Sequence, residues 1–433
     1  MEVVVVGAGI AGLSAAHHLA RAGAHVVVLD AADRVGGRMT TDIVEGAYVD
    51  RGAQFLSSHY REIRYLAGAA GLANKMVRVR APSGVVRRAK VHTVVTGRPW
   101  TAVTRGLFGF REVLPLLRAG LRHGVENRRL SLSDYADWAP FDDRLASVAV
   151  TEELGRVAAE YLVEPMLAGF YFQEPEQTSH ALSSWLLQHG MGSPQILALA
   201  GGLGSLPEAL AAPREVRLCQ QVSSIRVSGA GVAVVSNGAE AYFDAAVLAV
   251  PAPKARTLYK AAFPPEDELL ATRYSSTVNL TLRLGRGQLG ELSGLYGLLV
   301  PRSERGAIAA VAVEDRKYPA QDAHFLNVML AGASGKRLLD APEDDLLSEV
   351  LPELARYVKG DAELLRCYRW RDAEPLSPVG RARAIATYRT GLPPTARVIL
   401  AGDYMSAPTT EGAAQSGRWA ANRMLSVASA VRS

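Results

Sequence analysis

The sequence predicts an α/β protein in which a parallel-sheet unit, split into three pieces along the chain, is interleaved with an α+β unit of antiparallel strands and helices. Three observations predict it. Met1 to Gly12 read MEVVVVGAGIAG, a β-type apolar run followed by Gly7-x-Gly9-x-x-Gly12; a helical stretch follows to about Arg21, then a second apolar run, Ala24 to Leu29, closed by Asp30. Thr277 to Leu330 carries apolar runs of strand length at short intervals. The chain closes on a last buried strand, Val398 to Gly402, and a helix from about Gly412.

The first of these is a βαβ unit of Rossmann type with a dinucleotide fingerprint in its first turn. Gly7 permits the tight turn. Gly9 lets the backbone approach a pyrophosphate, and Gly12 lets the helix pack close to the strand. The pyrophosphate belongs on the helix N-terminus, where free N–H groups and the dipole favour negative charge. Asp30 is placed to accept the ribose hydroxyls of an adenosine. Two glycine-bearing turns follow, Asp33-Arg34-Val35-Gly36-Gly37-Arg38 and Tyr48-Val49-Asp50-Arg51-Gly52-Ala53-Gln54-Phe55, both beside hydrophobic strands where backbone can approach a ligand.

The character changes over 76 to 195, which reads as a mostly helical insertion. Thr101 to Gly124 is apolar, arginine-rich and amphipathic. Leu132 to Leu162 reads helical in parts, with Ser131 or Ser133 as the cap. Leu206 to Leu210 is a short helix. Val216 to Leu218, Val222 to Val227, Val232 to Ser236 and Ala245 to Val250 read as strands. Thr277 to Leu284, Tyr296 to Val300, Ala307 to Glu314 and Phe325 to Leu330 form an antiparallel sheet, and Leu338 to Tyr357 a helix. On this reading 1–75, 200–265 and 390–433 make the nucleotide-binding domain, and 76–199 and 266–389 the substrate-binding domain.

Bulk properties agree with a folded enzyme. The chain has 433 residues, 48% hydrophobic and 21% charged, enough for two or three packed units. A net charge of +5, mostly scattered arginine, does not favour nucleic acid. Cys219 and Cys367 lie in no metal-ligand pattern, so no metal site is expected and both read as buried thiols. No signal peptide or apolar run of membrane-spanning length is read, which makes the cytoplasm the expected location.

These motifs resemble the flavin amine oxidases and their relatives, which include protoporphyrinogen oxidases, phytoene desaturases and hydroxysqualene-type oxidoreductases. The N-terminal glycines, Asp30 and Asp33-Arg34-x-Gly36-Gly37-Arg38 look like the family's opening. Leu400-Ala401-Gly402-Asp403-Tyr404, Thr410-Glu411-Gly412-Ala413 and Ser416-Gly417 look like its closing flavin motif, and Gly201-Gly202-Leu203, Val222-x-x-Ile225 and Ala249-Val250-Pro251 like its second cofactor stretch. The resemblance implies a non-covalent FAD. It implies that Gly7, Gly9, Ile10, Ala11 and Gly12 cradle the pyrophosphate. Asp30 would bind the ribose, with Ala31 and Arg34 beside it. Gly37, Arg38, Gly402 and Asp403 would hold the pyrophosphate–ribityl region, and Gly52, Ala53, Gln54 and Phe55 would pass beside the isoalloxazine. Val222 would meet the adenine through its backbone. Glu411, Gly412 and Ala413 open a helix whose dipole points at the flavin O2 edge, where reduced flavin gathers negative charge.

Two family features are missing. The central strand Ser276 to Leu282 has Asn279 and no lysine, and Thr409 stands where many amine oxidases carry a tyrosine. Gly294 to Pro301, Tyr318-Pro319 and Val328 to Gly332 are instead similar to protoporphyrinogen oxidases. The reading is therefore an FAD-dependent oxidase taking hydride from a CH–NH or CH–CH unit of a large apolar or flat small-molecule substrate, with molecular oxygen as acceptor. Gln54, Tyr171, Phe172, Trp370 and Thr409 are the pocket candidates. An amine or amino-acid oxidase of specialised metabolism is the alternative. A non-catalytic flavoprotein and a quinone-using, membrane-docked desaturase stay open. A membrane contact through 101–124 is not the favoured reading, because Arg105, Arg111, Arg118 and Arg122 also suit a solvated helix face. Monomer and homodimer are both compatible.

Overall fold

Strands that are apolar on both sides must be covered on both sides. Val3, Val4 and Val5 are fully buried. In the computed structural model, Glu2–Val6 is the middle strand of a five-stranded parallel sheet. The order is Glu215–Arg217, His25–Leu29, Glu2–Val6, Ala245–Leu248 and Val398–Leu400. The structure describes residues 1–95, 98, 100–126, 130–191, 194–229, 231–319 and 322–432. The first helix, Ile10–Arg21, packs on the closing helix, Thr410–Arg432. Their backbones nearly touch: a Cβ on Gly417 would run into the carbonyl of Ala11, and the Ser14 hydroxyl donates to the Ala414 carbonyl at 2.8 Å. The two ends of the chain thus form one structural unit.

The second large sheet has seven strands, ordered Glu363–Trp370, Thr277–Gly285, Ala323–Leu330, Ile308–Val313, Gly297–Leu299, Ser83–Arg87 and Lys90–Val94. Neighbours are antiparallel except Gly297–Leu299 and Ser83–Arg87, which run parallel. Side chains alternate across a strand. Val278, Leu280 and Leu282 therefore face a core shared with Leu346, Val350 and Leu354 of the Glu343–Leu354 helix. Thr277, Asn279 and Thr281 turn the other way, toward the Arg51 loop, where the Asn279 amide donates to the Arg51 carbonyl at 3.0 Å.

Several elements differ from the sequence expectation. The insertion begins with three strands, Met76–Arg78, Ser83–Arg87 and Lys90–Val94, before its helices. The hairpin turn between the last two was hidden because its residues, Arg88 and Ala89 at φ 54° and 57°, are neither Gly nor Asn. Asp134, not Ser131 or Ser133, caps the turn at Tyr135–Phe141, accepting from Ala136 N at 3.0 Å. Ser131 instead accepts from the amides of Ser133 and Asp134. The helix expected over Leu338 to Tyr357 is confined to Glu343–Leu354, since Pro342 holds the chain before it extended. Cys219 is exposed, not buried: it sits in a turn at φ 53°.

Candidate active site

The glycine turn is shaped as its spacing implies. Gly7 sits at φ +109°, and a Cβ there would lie 2.7 Å from the Ala249 carbonyl oxygen. A Cβ on Gly12 would fall inside the carbonyl of Gly7, so strand and helix are in backbone contact. Gly9 differs, because its Cβ position has nothing within 4 Å. It caps the Ile10–Arg21 helix without any side-chain hydrogen bond, and the first turn, with Ile10 and Ala11, holds no acid. The result is an open N-terminus with its amides unspent, the surroundings an anion requires.

Asp30 closes the same end. Its carboxylate accepts from Ala8 N at 2.6 Å and from Ala32 N at 2.8 Å. Each oxygen keeps capacity for a hydroxyl donor. The Gly36–Gly37 turn crosses over this end, with Gly36 N donating to Ala8 O at 2.8 Å, and a Cβ on Gly37 would approach Gly9 Cα at 3.7 Å. Gln220 N donates to Asp30 O, which brings the start of the Val222–Ser228 strand alongside. Ala31 is exposed, and Arg34 turns to the surface, where it pairs with Asp33 and Asp42. These residues fit a dinucleotide at the pyrophosphate and the ribose; Arg34 is directed away from both.

At the other end, Arg38 and Asp403 form an ion pair of 2.6 Å. Arg38 also donates to the Ala373 carbonyl at 2.6 Å, and Tyr274 OH donates to Asp403 Oδ1 at 2.8 Å. Arg381 holds the loop beyond, donating to the carbonyls of Asp403 and Ser406, each at 2.8 Å. Burial opposes the charge on Arg38, but the fields of Asp403 and Glu374 overcome it and raise its pKa. Gly402 reaches φ +136° just before Asp403.

The closing helix begins here. Thr409 Oγ1 accepts from Gly412 N at 2.9 Å, and Ala413 N donates to the Thr409 carbonyl at 2.9 Å. Thr409 is thus an N-cap. Thr410 Oγ1 is buried with no partner, an open polar position at the mouth of the helix. The Glu411 side chain points elsewhere. It accepts from Glu62 N and Ile63 N at 2.9 and 3.0 Å and so caps the Arg61–Ala69 helix. Its carboxylate is committed to that helix, which leaves its backbone amide as what it offers at the helix mouth.

The Arg51–Phe55 loop lies between the two sheets, half-exposed. A buried charge cluster holds it from behind. Lys317 is fully buried and its ammonium lies 2.8 Å from both Asp50 and Glu314. It also donates to the Gln54 carbonyl at 3.0 Å. Asp50 further accepts from Tyr318 OH, Thr41 OH and Leu203 N. The Gln54 amide donates back to the carbonyls of Asp50 and Gly52 at 3.1 and 3.2 Å. The Gln54 side chain thereby stiffens its own loop.

Aromatic and small side chains line the rest. Phe55 meets Phe170 edge-to-face at 5.4 Å, and Tyr171 follows on the same turn. Phe172 ends the Glu164–Tyr171 helix in the left-handed region and packs beside Ala310, Ala312 and Met329 of the large sheet. Trp370 donates its indole N–H to the Arg51 carbonyl at 3.0 Å. Glu374 was not anticipated. Its carboxylate accepts no hydrogen bond among the described residues, and it faces Arg38, Asp403, Tyr60 and Tyr171 electrostatically. Burial, with a contribution from Asp403, pushes its pKa up to about 8. Its place four residues after Trp370 was the only sequence signal for it. Lys317 offered none beyond its position next to Tyr318-Pro319.

The profile of the family described as flavin containing amine oxidoreductase matches residues 10–425. Coproporphyrinogen III oxidase of Mycobacterium leprae is 28% identical over 443 residues, covering 93% of each chain. Protoporphyrinogen oxidase 2 of Arabidopsis thaliana is 22% identical, over 87% of this chain and 84% of its own. The structure of cyclohexylamine oxidase from Brevibacterium oxydans superposes with a TM-score of 0.79 at 19% identity, covering 100% of this chain and 99% of that one.

Proposed function

The chain belongs to the family of flavin-containing amine oxidoreductases and is an FAD-dependent oxidase; from that premise we propose that it acts on porphyrinogen-type substrates. It would take hydride from a CH–NH or CH–CH unit of a large, flat molecule, and oxygen would carry the electrons away as hydrogen peroxide. One observation carries this reading. The sheet beside the Arg51–Phe55 loop carries uncharged side chains at Asn279, Ala310, Ala312 and Met329, all buried, with Phe172 packed on the last three. The full-length likeness to a coproporphyrinogen III oxidase supports it.

Bound flavin supplies the hydride acceptor. The chain's own residues do the holding. The Gly9 turn and the Ile10–Arg21 helix receive the pyrophosphate, and Asp30 the ribose. Arg38 and Asp403 would hold the pyrophosphate–ribityl region, and the Gly52–Phe55 loop and the start of the closing helix at Glu411, Gly412 and Ala413 would flank the ring. Phe55, Phe170 and Phe172 exclude water and orient the reacting C–H bond. Attachment is non-covalent: Cys219 lies in the turn beside Asp30, Cys367 on an outer strand of the large sheet. We place the enzyme in the cytoplasm, as a monomer or homodimer.

Glu374 favours a second reading. A buried carboxyl held largely as the neutral acid can ionise against an incoming ammonium group, so an amine or amino-acid oxidase is the competitor. Anaerobic mixing with coproporphyrinogen, protoporphyrinogen and a panel of amines separates the two. The proposal expects the oxidised-flavin absorbance to bleach with a porphyrinogen, one peroxide to appear per flavin on admitting air, and acid precipitation to leave the flavin in the supernatant. Bleaching by an amine alone would reverse the assignment.

A further inference from the structure

The Phe110–Glu126 helix turns an apolar stripe outward. Phe110 is 94% exposed, Leu114 52%, Leu117 59% and Leu121 73%. Their spacing of four, three and four residues puts them on one line along the helix. The opposite side is the packed one, with Ala119 buried and Leu116 against the main core. An exposed stripe of this kind is costly in water and marks a contact surface.

Charge identifies the partner. Thr101 to Arg122 contains Arg105, Arg111, Arg118 and Arg122 against one acid, Glu112. That acid is turned inward, held by Arg87 at 3.0 Å and accepting from Gly109 N at 2.6 Å. Arg111, Arg118 and Arg122 fall on one flank of the stripe, each about a quarter-turn from its centre. Arg118 and Arg122 face Glu152 and Glu153 across a shallow cleft; Arg105 and Arg111 are exposed. Trp100, 59% exposed, stands just before the segment. Apolar residues along one line, a basic flank and an exposed tryptophan are the features of a helix lying in the plane of a membrane surface.

We propose that the Phe110–Glu126 helix is a peripheral docking surface for an anionic lipid bilayer, with Phe110, Leu114, Leu117 and Leu121 entering the acyl boundary and Arg105 and Arg111 meeting lipid phosphates. The helix does not cross the membrane; no described helix is long and apolar enough to do so. The inference rests on this surface alone and is independent of the substrate reading.

Flotation of the flavin-loaded enzyme with two vesicle types tests it: phosphatidylcholine alone, and phosphatidylcholine with about a third phosphatidylglycerol. Binding is expected to the anionic vesicles and to weaken in high salt. Leu117→Asp with Leu121→Asp should cut it by roughly tenfold or more, and Arg105→Gln with Arg111→Gln by a smaller factor. Flavin content and turnover of the variants in vesicle-free buffer should stay at the parent level, which shows that they fold. The proposal is overturned by equal binding to uncharged vesicles, by binding indifferent to these substitutions, or by no binding at all. In the last case, a parent dimer made monomeric by Leu117→Asp would assign the stripe to a second copy of the chain.

Discussion

The three glycines of the first turn have different duties, and each can be tested alone. Gly12 is required by packing, since any Cβ would displace the Gly7 carbonyl. Gly9 has an ordinary backbone, φ −71° and ψ 174°, and empty space before it. Gly9→Ala should therefore leave the flavin-free protein as stable as the parent and lower FAD affinity by roughly tenfold or more, about 1.4 kcal/mol, by filling the space a pyrophosphate needs. Gly12→Ala should lower the melting temperature of the flavin-free protein itself. Flavin titration by fluorescence, with thermal melts of the apoprotein, reads both; a Gly9→Ala protein with parent affinity would remove the pyrophosphate from this turn. The spacing of Gly7, Gly9 and Gly12 was legible because it is local. The sequence could not show where the side chains of Glu411 and Gln54 point. Both stand in motifs that resemble cofactor contacts, yet one caps the Arg61–Ala69 helix and the other braces its own loop.

Elements with a clear period were legible. The inner parallel strands read as apolar runs, and the large sheet as runs of strand length, because strands buried on both faces leave such patterns, while the edge strand Glu215–Arg217 does not. The hairpin of Ser83–Arg87 and Lys90–Val94 was not, because its turn is unsuited to its conformation. Arg88 and Ala89 both hold positive φ, at some cost for residues with a Cβ. The carboxylate of Glu304 fixes them, accepting from Arg88 N at 2.6 Å and Ala89 N at 3.1 Å. Arg88→Asn with Ala89→Gly keeps both N–H donors and supplies residues that favour this turn. The pair should gain about 0.5–1 kcal/mol, seen as a higher midpoint in urea unfolding. Glu304→Ala in the parent should do the reverse and should matter less in the Asn-Gly background, since less strain is then left for the carboxylate to hold.

At the scale of the whole molecule, Asp50, at the end of the Ala47–Asp50 strand, pairs with Lys317, in the turn after Ile308–Val313 of the seven-stranded sheet, 267 residues away. Nothing local in the sequence announces that pair; only the fold brings the Tyr48–Phe55 turn onto the turn after Ile308–Val313. Lys317 neutralises two buried carboxylates, those of Asp50 and Glu314. Burial first, and then Asp50, push the pKa of Glu314 up to about 7 from 4.5, even with the ammonium beside it. A raised carboxyl pKa gives stability that is present below the unfolded value and lost as pH climbs through the folded one. Lys317→Met removes the one group that lowers it and leaves two carboxylates facing each other. The variant should lose about 3–5 kcal/mol in alkaline buffer. The loss should shrink as pH falls toward 7, because without the ammonium Glu314 takes up its proton above the parent's value and the repulsion disappears. Adding Glu314→Gln should restore part of the stability above pH 7 and flatten the pH dependence. Urea unfolding of the three proteins across that range checks the sign. A Lys317→Met penalty that does not change with pH would mean the ammonium acts through its bond to the Gln54 carbonyl, not through charge. In that case flavin affinity should fall in step with stability, since that bond holds the loop placed beside the ring.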